Sequence, residues 1–386
     1  MQEKKMNVLI ISPFAAPNLG GVESHIDKLM AYAQKKNIFP ILLTYQPLTR
    51  NVKGAEEELT ANYEIHRINW PGYDLFNKFE NYFPLQFLYL FPGLFYLSFT
   101  YMLKNAKKIK CIHAHGLAAA AVTKILKAFF HKRSVVSTHA VYSFSNRKIL
   151  AKLVKWLLGD FDAILAVSEV SKQELIGLGL NASKIFVHPN WVATDTFTMR
   201  DKSECKKILG LKMQSNVLFV GRFIEKKGVE LLLEAAQKLP EIGFNFVGNG
   251  ACEDQVLKAS QEYPNVIYHG VLMQDNPKQK DKLIDLYYAC DFFVSPYLYD
   301  EGFSTTLVEA IACGTPVVVP NRGSPPTFLD PTCAEFLNYE PTVAEIISVL
   351  TKLSSENRFD RQVCRNFALT KFGDQNADVI INSYGN

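Results

Sequence analysis

The chain has 386 residues, 48% of them apolar, and a formal charge of +4. That length is too great for one ordinary domain and predicts two, each able to bury a core. The seven cysteines, at 111, 205, 252, 290, 313, 333 and 364, include no close pair, which excludes a zinc framework and a disulfide ladder. Charge is unevenly spread: residues 1–190 carry 23 Lys/Arg against 13 Asp/Glu, and the remainder 19 against 25, or +10 and −6.

Strand-like and helix-like segments alternate throughout, which predicts parallel sheets with crossover helices. The first half opens with MNVLIISPFAAPNLGGVESHIDKLMAYA, a strand, a glycine loop and a helix, with Gly20 and Gly21 at the turn. Glycine there lets a ligand approach the backbone, although the dinucleotide fingerprint G-x-G-x-x-G is absent. Lys4 and Lys5 run into a β-like segment and then Pro13, which is no signal peptide, so the cytoplasm is the expected compartment. Further strands are expected at 40–44, 63–68, 111–114, 134–137, 163–167 and 184–187.

Residues 81–159 hold no acidic side chain and twelve Lys/Arg, which begin after the aromatic run YFPLQFLYLFPGLFYLSFTYML at 82–103. Three readings compete for that run. It is long enough to span a bilayer, but Pro84, Gln86 and Pro92-Gly93 interrupt it. It could form a buried pair of core helices. The favoured expectation is an interfacial segment, with aromatic rings at the lipid headgroups and the following lysines on anionic lipid. SNRKILAKLVKWLL adds to that, with Lys148, Lys152 and Lys155 on one helical face and Ile149, Leu153, Trp156 and Leu157 towards another; the plainer alternative is an ordinary amphipathic helix on a sheet. Nucleic acid is not expected, because no recognition motif accompanies the basic clusters.

His113 and His115 alternate at a strand end in CIHAHG. A metal pair would want a third ligand and partners to orient the rings, so structural or substrate-loop roles are preferred and no metal site is expected. His139 ends the apparent strand SVVST, on the ligand side of a sheet. Asp160-Phe161-Asp162 has a D-x-D form but lies between a helix and a strand, where Asp160 reads as a helix-end residue.

The periodicity breaks at 188–201, which divides the chain into domains 1–190 and 191–370, with 371–386 as a terminal helical segment. Second-half strands are expected at 217–220, 245–247, 266–268, 291–295, 316–319 and 335–337. VLFVGRFIEKKG gives a buried strand, a glycine turn, then Arg222 and Lys227, two cations at a strand's C-terminal edge, where open α/β sheets bind ligands. Gly248-Asn249-Gly250 follows GFNFV and is weak alone. The strongest motif is EGFSTTLVE. Glu301 precedes a helix and Glu309 lies about 12 Å further along its axis, bracketing Gly302, Phe303 and the free N–H groups of Thr305, Thr306 and Leu307. A nucleotide diphosphate sugar has that layout of hydroxyls, negative charge and hydroxyls.

The combination of GGVES, VGRFIEKKG, VGNG and EGFSTTLVEAIACGTPVVVP resembles the retaining glycosyltransferases of family four. The resemblance covers nearly the whole chain. It implies the GT-B fold, two Rossmann-like domains with parallel sheets facing a central cleft. It further implies that Glu301 holds donor-sugar hydroxyls, Glu309 the ribose, and Arg222 and Lys227 the diphosphate, with His139 at the donor sugar or catalytic site. Front-face transfer from a nucleotide diphosphate sugar would then need neither a cofactor nor a side-chain nucleophile. Two segments depart from the family pattern: Pro189–Asp195 reads PNWVATD in place of a Pro-Asn-Gly-Val-Asp crossing, and Arg322-Gly323-Ser324-Pro325-Pro326 replaces a Gly-Gly-acid turn.

The expected acceptor is a lipid-linked saccharide of bacterial envelope polysaccharide synthesis, met at the inner face of the cytoplasmic membrane through residues 81–159. A noncatalytic nucleotide-sugar-binding protein, an epimerase and a sugar phosphorylase are the alternatives; an oxidoreductase is least favoured.

Overall fold

The computed structural model describes residues 5–18, 20–72, 74–79, 82–139, 148–188, 190–273, 276–356 and 358–385. Pro189 of the crossing segment, and residues 81 and 140–147 of the acid-free span, lie outside them. The chain forms two compact units: residues 1–190 with 375–386 make unit 1, and Trp191–Asp374 make unit 2.

Unit 1 contains β1 (Met6–Ile11), β2 (Ile38–Tyr45), β3 (Glu57–Leu59), β4 (Glu64–Ile68), β5 (Ile109–His115), β6 (Arg133–Thr138), β7 (Ala163–Ala166) and β8 (Ile185–Val187). They form one sheet in the order β3-β4-β2-β1-β5-β6-β7-β8, parallel except for β3 against β4. The central strands are apolar on both faces, as a sheet covered by helices on both sides requires; Val8, Leu9, Ile10 and Ile11 are all buried. Strand β3 has no counterpart among the expected strands. Its residues, Glu-Glu-Leu, have little strand propensity, and their charges suit an exposed edge.

The aromatic run is one continuous helix, Phe83–Asn105, rather than a pair. Leu90, Leu94 and Met102 enter the core, while Leu85, Leu88, Tyr96 and Leu103 are exposed. Pro92 lies inside this helix without ending it. Proline has no N–H to give and its ring crowds the carbonyl four residues back. Beside the proline the Tyr45 hydroxyl inserts into the rung between Leu90 and Leu94, donating to Leu90 O at 2.6 Å and accepting from Leu94 N at 2.7 Å, so both backbone groups of that rung are satisfied. Phe87, Phe91, Phe95 and Phe99 stack along one side at four-residue spacing, with centroids 5.4–5.8 Å apart. No helix among the described residues is long and apolar enough to cross a membrane.

Unit 2 contains β9 (Ser215–Val220), β10 (Ile242–Val247), β11 (Val266–Tyr268), β12 (Phe292–Val294), β13 (Val317–Pro320) and β14 (Ala334–Leu337), all parallel in the order β11-β10-β9-β12-β13-β14. Counted within the unit this is 3-2-1-4-5-6, the dinucleotide-fold order, whose direction reverses between β9 and β12. Two apolar layers pack against the sheet, one including Leu286, Tyr287, Phe293 and Ile311 and the other Leu232, Phe244, Phe246 and Leu350. The architecture is therefore two Rossmann-like α/β units. All seven cysteines are free and buried, and burial raises the thiol pKa of Cys111 and Cys205 to about 12.

Candidate functional site

In an open parallel sheet the loops after the two strands that flank the reversal diverge and leave a crevice at the strands' C-terminal ends. In unit 2 those loops follow β9 and β12. The first carries Arg222 and Lys227 and the second Glu301. Phe223 N–H donates to Asn249 O at 2.7 Å, and Cys252 N–H donates to Phe223 O at 2.8 Å, which braces the β9 loop on the β10 loop. Gly248 (φ +134°) and Gly250 (φ +150°) permit this, since a side chain at either would run into the backbone of residues 221–223. The β9 loop is fixed to the β12 loop as well, with Leu298 N–H donating to Lys226 O at 2.8 Å.

Gly228 (φ +72°) faces the carbonyl oxygen of Pro296 with no room for a β-carbon. Gly228→Ala is expected to destabilise unit 2 by more than the ~1–2 kcal/mol that left-handed backbone costs alone. Urea denaturation checks this, and an unchanged midpoint would contradict the packing described.

Lys227 Nζ forms an ion pair with Glu301, whose Oε2 also accepts from the Tyr299 hydroxyl at 2.5 Å. Lys227 further lies 5.1 Å from the Tyr299 ring centroid. Glu301 is 9% exposed. Burial acts to raise its pKa, but Lys227, the Tyr299 hydroxyl and Arg222 together outweigh that and hold it below the usual carboxylate value. Arg222 is exposed at the rim. The loop pair thus contains an ionised carboxylate, its ammonium partner and a guanidinium within electrostatic reach.

Glu309 lies in the helix Thr305–Ala312 and is 1% exposed, accepting from the Tyr287 hydroxyl at 2.9 Å. Burial, then the Glu309 charge, keeps that phenol protonated well above its ordinary range. Ser304 precedes the helix without a side-chain capping bond, and Thr305 and Thr306 are half-buried. Gly302 is buried, and the half-buried Phe303 stacks on Phe328 at 5.0 Å. One contributor was missed by sequence reasoning. Ser324 N–H donates to Glu301 O at 2.8 Å, and Gly323 (φ +68°) lies so close that a β-carbon would sit 2.6 Å from Glu301 N and O. Arg322 Nε donates to Asp300 at 3.2 Å. The segment that departs from the family pattern is the backing of the Glu301 loop.

Unit 1 reverses strand order between β1 and β5, and a cluster of imidazoles gathers at those strand ends. His113 is held between the Tyr384 hydroxyl and Ser137 Oγ, 2.8 Å from each, which is a structural role. His115 Nδ1 lies 2.9 Å from His139 Nε2, with the rings stacked at 5.1 Å. His25, on the helix Gly21–Lys35, is hydrogen-bonded to Asn190, and its ring lies 5.1 Å from His139 and 5.6 Å from His188. His25 and His188 carried no sequence signal, beyond histidine recurring at strand ends in the case of His188.

Burial, the largest influence, lowers the His25 pKa to about 4 and that of His113 to about 3, and holds His115, His139 and His188 well below their usual value. The cluster is therefore neutral at pH 7. Ligand nitrogens of His25, His115 and His139 lie within 4.8 Å of one another. His115 and His139 direct theirs at each other as a hydrogen-bonded pair, so neutral hydrogen bonding is the chemistry this geometry displays.

Gly20 precedes the first-unit helix, and a side chain there would meet the Glu23 carboxylate, while Gly21 borders open space. Glu23 is buried and accepts from Asn18 Nδ2 at 2.7 Å. Asp160 and Asp162 are engaged by Lys124 and Lys127 at 2.5 and 2.9 Å. In the helix Lys148–Leu158, Val154, Leu157 and Leu158 face the core, and Ile149, Leu153 and Trp156 are exposed, as are Lys152 and Lys155.

The sequence of residues 201–368 matches the family model "Glycosyl transferases group 1", and residues 19–196 match "Glycosyltransferase Family 4". A phosphatidylinositol N-acetylglucosaminyltransferase polypeptide of Arabidopsis thaliana is 22% identical over 92% of this chain and 78% of its own length. Among solved structures, sucrose-phosphate synthase from Thermosynechococcus elongatus superposes with a TM-score of 0.81 at 18% identity, covering 98% of each chain. Anabaena HepE, solved in complex with UDP and glucose, does so at 0.74 and 18%, also over 98% of each chain.

Proposed function

We propose that the chain is a GT-B-fold glycosyltransferase that uses a nucleotide-sugar donor, a reading supported by its match to the group 1 and family 4 models and its likeness to HepE, and that it transfers with retention to a lipid-linked saccharide at an anionic membrane surface. Unit 2 holds the donor. Glu301 takes the sugar hydroxyls and Glu309 the ribose. Arg222 and Lys227 take the diphosphate, with the N–H groups of Thr305, Thr306 and Leu307, the loop Gly302-Phe303 and the turn Gly20-Gly21 completing the donor contacts. His139 serves the reacting groups. The observation that carries this reading is the Lys227–Glu301 pair at the reversal of strand order, with Arg222 beside it. Fixed cations there stabilise the charge that develops on the departing diphosphate, so the transfer proceeds without a metal. The acceptor hydroxyl attacks the anomeric carbon on the face the diphosphate leaves. A departing phosphate oxygen takes the acceptor's proton.

The membrane reading rests on the outer layer of unit 1. Leu88, Tyr96, Leu103, Phe129, Ile149 and Trp156 are each at least 60% exposed, within a span that has twelve Lys/Arg and no acidic residue. Scattered exposed apolar residues are ordinary, whereas an apolar and basic set on adjacent helices suits an anionic interface. The Arabidopsis relative, named for phosphatidylinositol, supports a lipid acceptor.

Nucleotide sugars are to be screened by turnover in the presence of anionic vesicles that carry a lipid-linked saccharide, with product stereochemistry read by NMR and vesicle binding by flotation. A retained anomer and salt-sensitive flotation are expected. An inverted product contradicts the assigned mechanism, and failure to float at low salt contradicts the membrane assignment.

A further inference from the structure

Within unit 1, beside the imidazole cluster, lies a cavity of about 220 Å³. Its walls are Phe14 after β1, Val22 at the start of the first helix, Phe87 and Leu90 of the helix Phe83–Asn105, and Leu117 after β5. Three polar side chains border it: Gln86, His115 and His139. Gln86 gives its amide nitrogen to Phe76 O at 3.1 Å. His115 and His139 are hydrogen-bonded to each other. His115 Nε2 is then buried with no hydrogen-bond partner among the described residues. An unsatisfied buried nitrogen is destabilising, and a ligand oxygen reaching it would relieve that.

We propose that this cavity receives a short hydrocarbon segment of the acceptor, next to an uncharged hydroxyl or ether oxygen that hydrogen-bonds to His115 Nε2. The inference rests on the acceptor being lipid-linked, and it adds where the apolar part enters and what must adjoin it. Charge is disfavoured there on two counts. Apart from Gln86, His115 and His139 the side chains of the walls are apolar, which penalises an ion, and the imidazoles around His115 are neutral at pH 7 and so offer an anion no counter-charge. Below the 300–1,000 Å³ of ordinary ligand pockets, the volume admits the start of a chain and excludes a whole lipid. Phe87 and Leu90 belong to the helix whose opposite side carries the exposed Leu85 and Leu88, so the rest of a long chain has an apolar surface to follow.

Binding of β-glucosides bearing methyl, butyl, hexyl and octyl chains, each below its micellar concentration, tests this directly with the full chain and without turnover. Affinity is expected to rise about fourfold per methylene, the equivalent of ~0.8 kcal/mol, and to level off once the cavity is filled. Octyl phosphate is expected to bind at least tenfold more weakly than octyl glucoside. Val22→Phe, which fills the space from the helix start, should move the plateau to shorter chains. Phe87→Ala, which enlarges it, should move the plateau to longer ones, and either variant suffices if the other does not fold. Affinity independent of chain length overturns the proposal, as does a plateau that neither variant moves. Hydrolysis of the nucleotide sugar is followed on the same samples. Its persistence with a failed chain-length profile removes the cavity assignment alone, whereas its absence with an intact profile removes the transferase reading and leaves the cavity.

Discussion

Glu301→Ala is expected to lower transfer turnover about 10²-fold, the scale of a loss of positioning at a reacting group, while affinity for the nucleoside diphosphate stays level or tightens. The opposite signs follow from the ion pair that the two loops make with each other. Lys227 and Glu301 are bound together there, so a donor whose phosphates claim Lys227 must first displace the carboxylate. Removing that carboxylate costs the sugar its hydroxyl partner and frees the ammonium. Arg222→Ala has no such compensation. Exposed and aimed at no carboxylate in hydrogen-bonding range among the described residues, it should lose both affinity and turnover. Isothermal titration with the diphosphate and steady-state transfer separate the two effects. Near-normal turnover in both variants would remove these residues from the chemistry, and parallel loss of nucleotide affinity in Glu301→Ala would refute the displacement argument.

Acidification from pH 7 to 5.5 is expected to destabilise unit 1 by up to about 5 kcal/mol. His25, His113, His115 and His188 are at most 2% exposed, and each has a folded pKa below the 6.5 of an unfolded histidine. Below pH 6.5 the unfolded chain therefore binds more protons than the folded one, and stability falls with pH. The contribution is complete above pH 6.5 and is lost as pH drops towards the folded values, about 4 for His25 and about 3 for His113. Over this interval each imidazole loses about 1.3 kcal/mol, and four together approach the 5–15 kcal/mol total of an ordinary domain. Glu301, with its lowered carboxylate pKa, stays ionised throughout and adds no acid sensitivity in this range. Urea titrations at pH 7.5, 6.5 and 5.5 measure the loss, and His113→Asn should reduce it by about 1.4 kcal/mol over that whole range. A stability level across that range would mean the imidazoles take up protons without unfolding.

The alternation of strand and helix was plain in the sequence because central strands buried on both faces leave unbroken apolar runs such as VLFV and VVVP. The edge strand β3 was not, since its glutamates carry no such signal. Within the site, Glu301 and Lys227 were legible because each follows a buried strand, at the edge where ligands bind. Their pairing was not, because it joins residues 74 positions apart. Gly323 and Ser324 support Glu301 through backbone contact, which leaves only a glycine in the sequence. His25 was silent for a different reason: a histidine on an amphipathic helix reads as surface, and only the fold brings it to the ends of β1 and β5. The aromatic helix was ambiguous because it is apolar on nearly every side, so no periodicity distinguishes its core face from its exposed one.

The return of residues 375–386 to unit 1 bears on how the protein is made. Asp378 meets Tyr32 and Lys36, Ser383 O accepts from Arg133, and Tyr384 caps His113. A ribosome releases the whole of unit 2 before those last residues emerge. The half translated first is thus finished last, and it must wait with its histidine cluster uncapped while the later half folds.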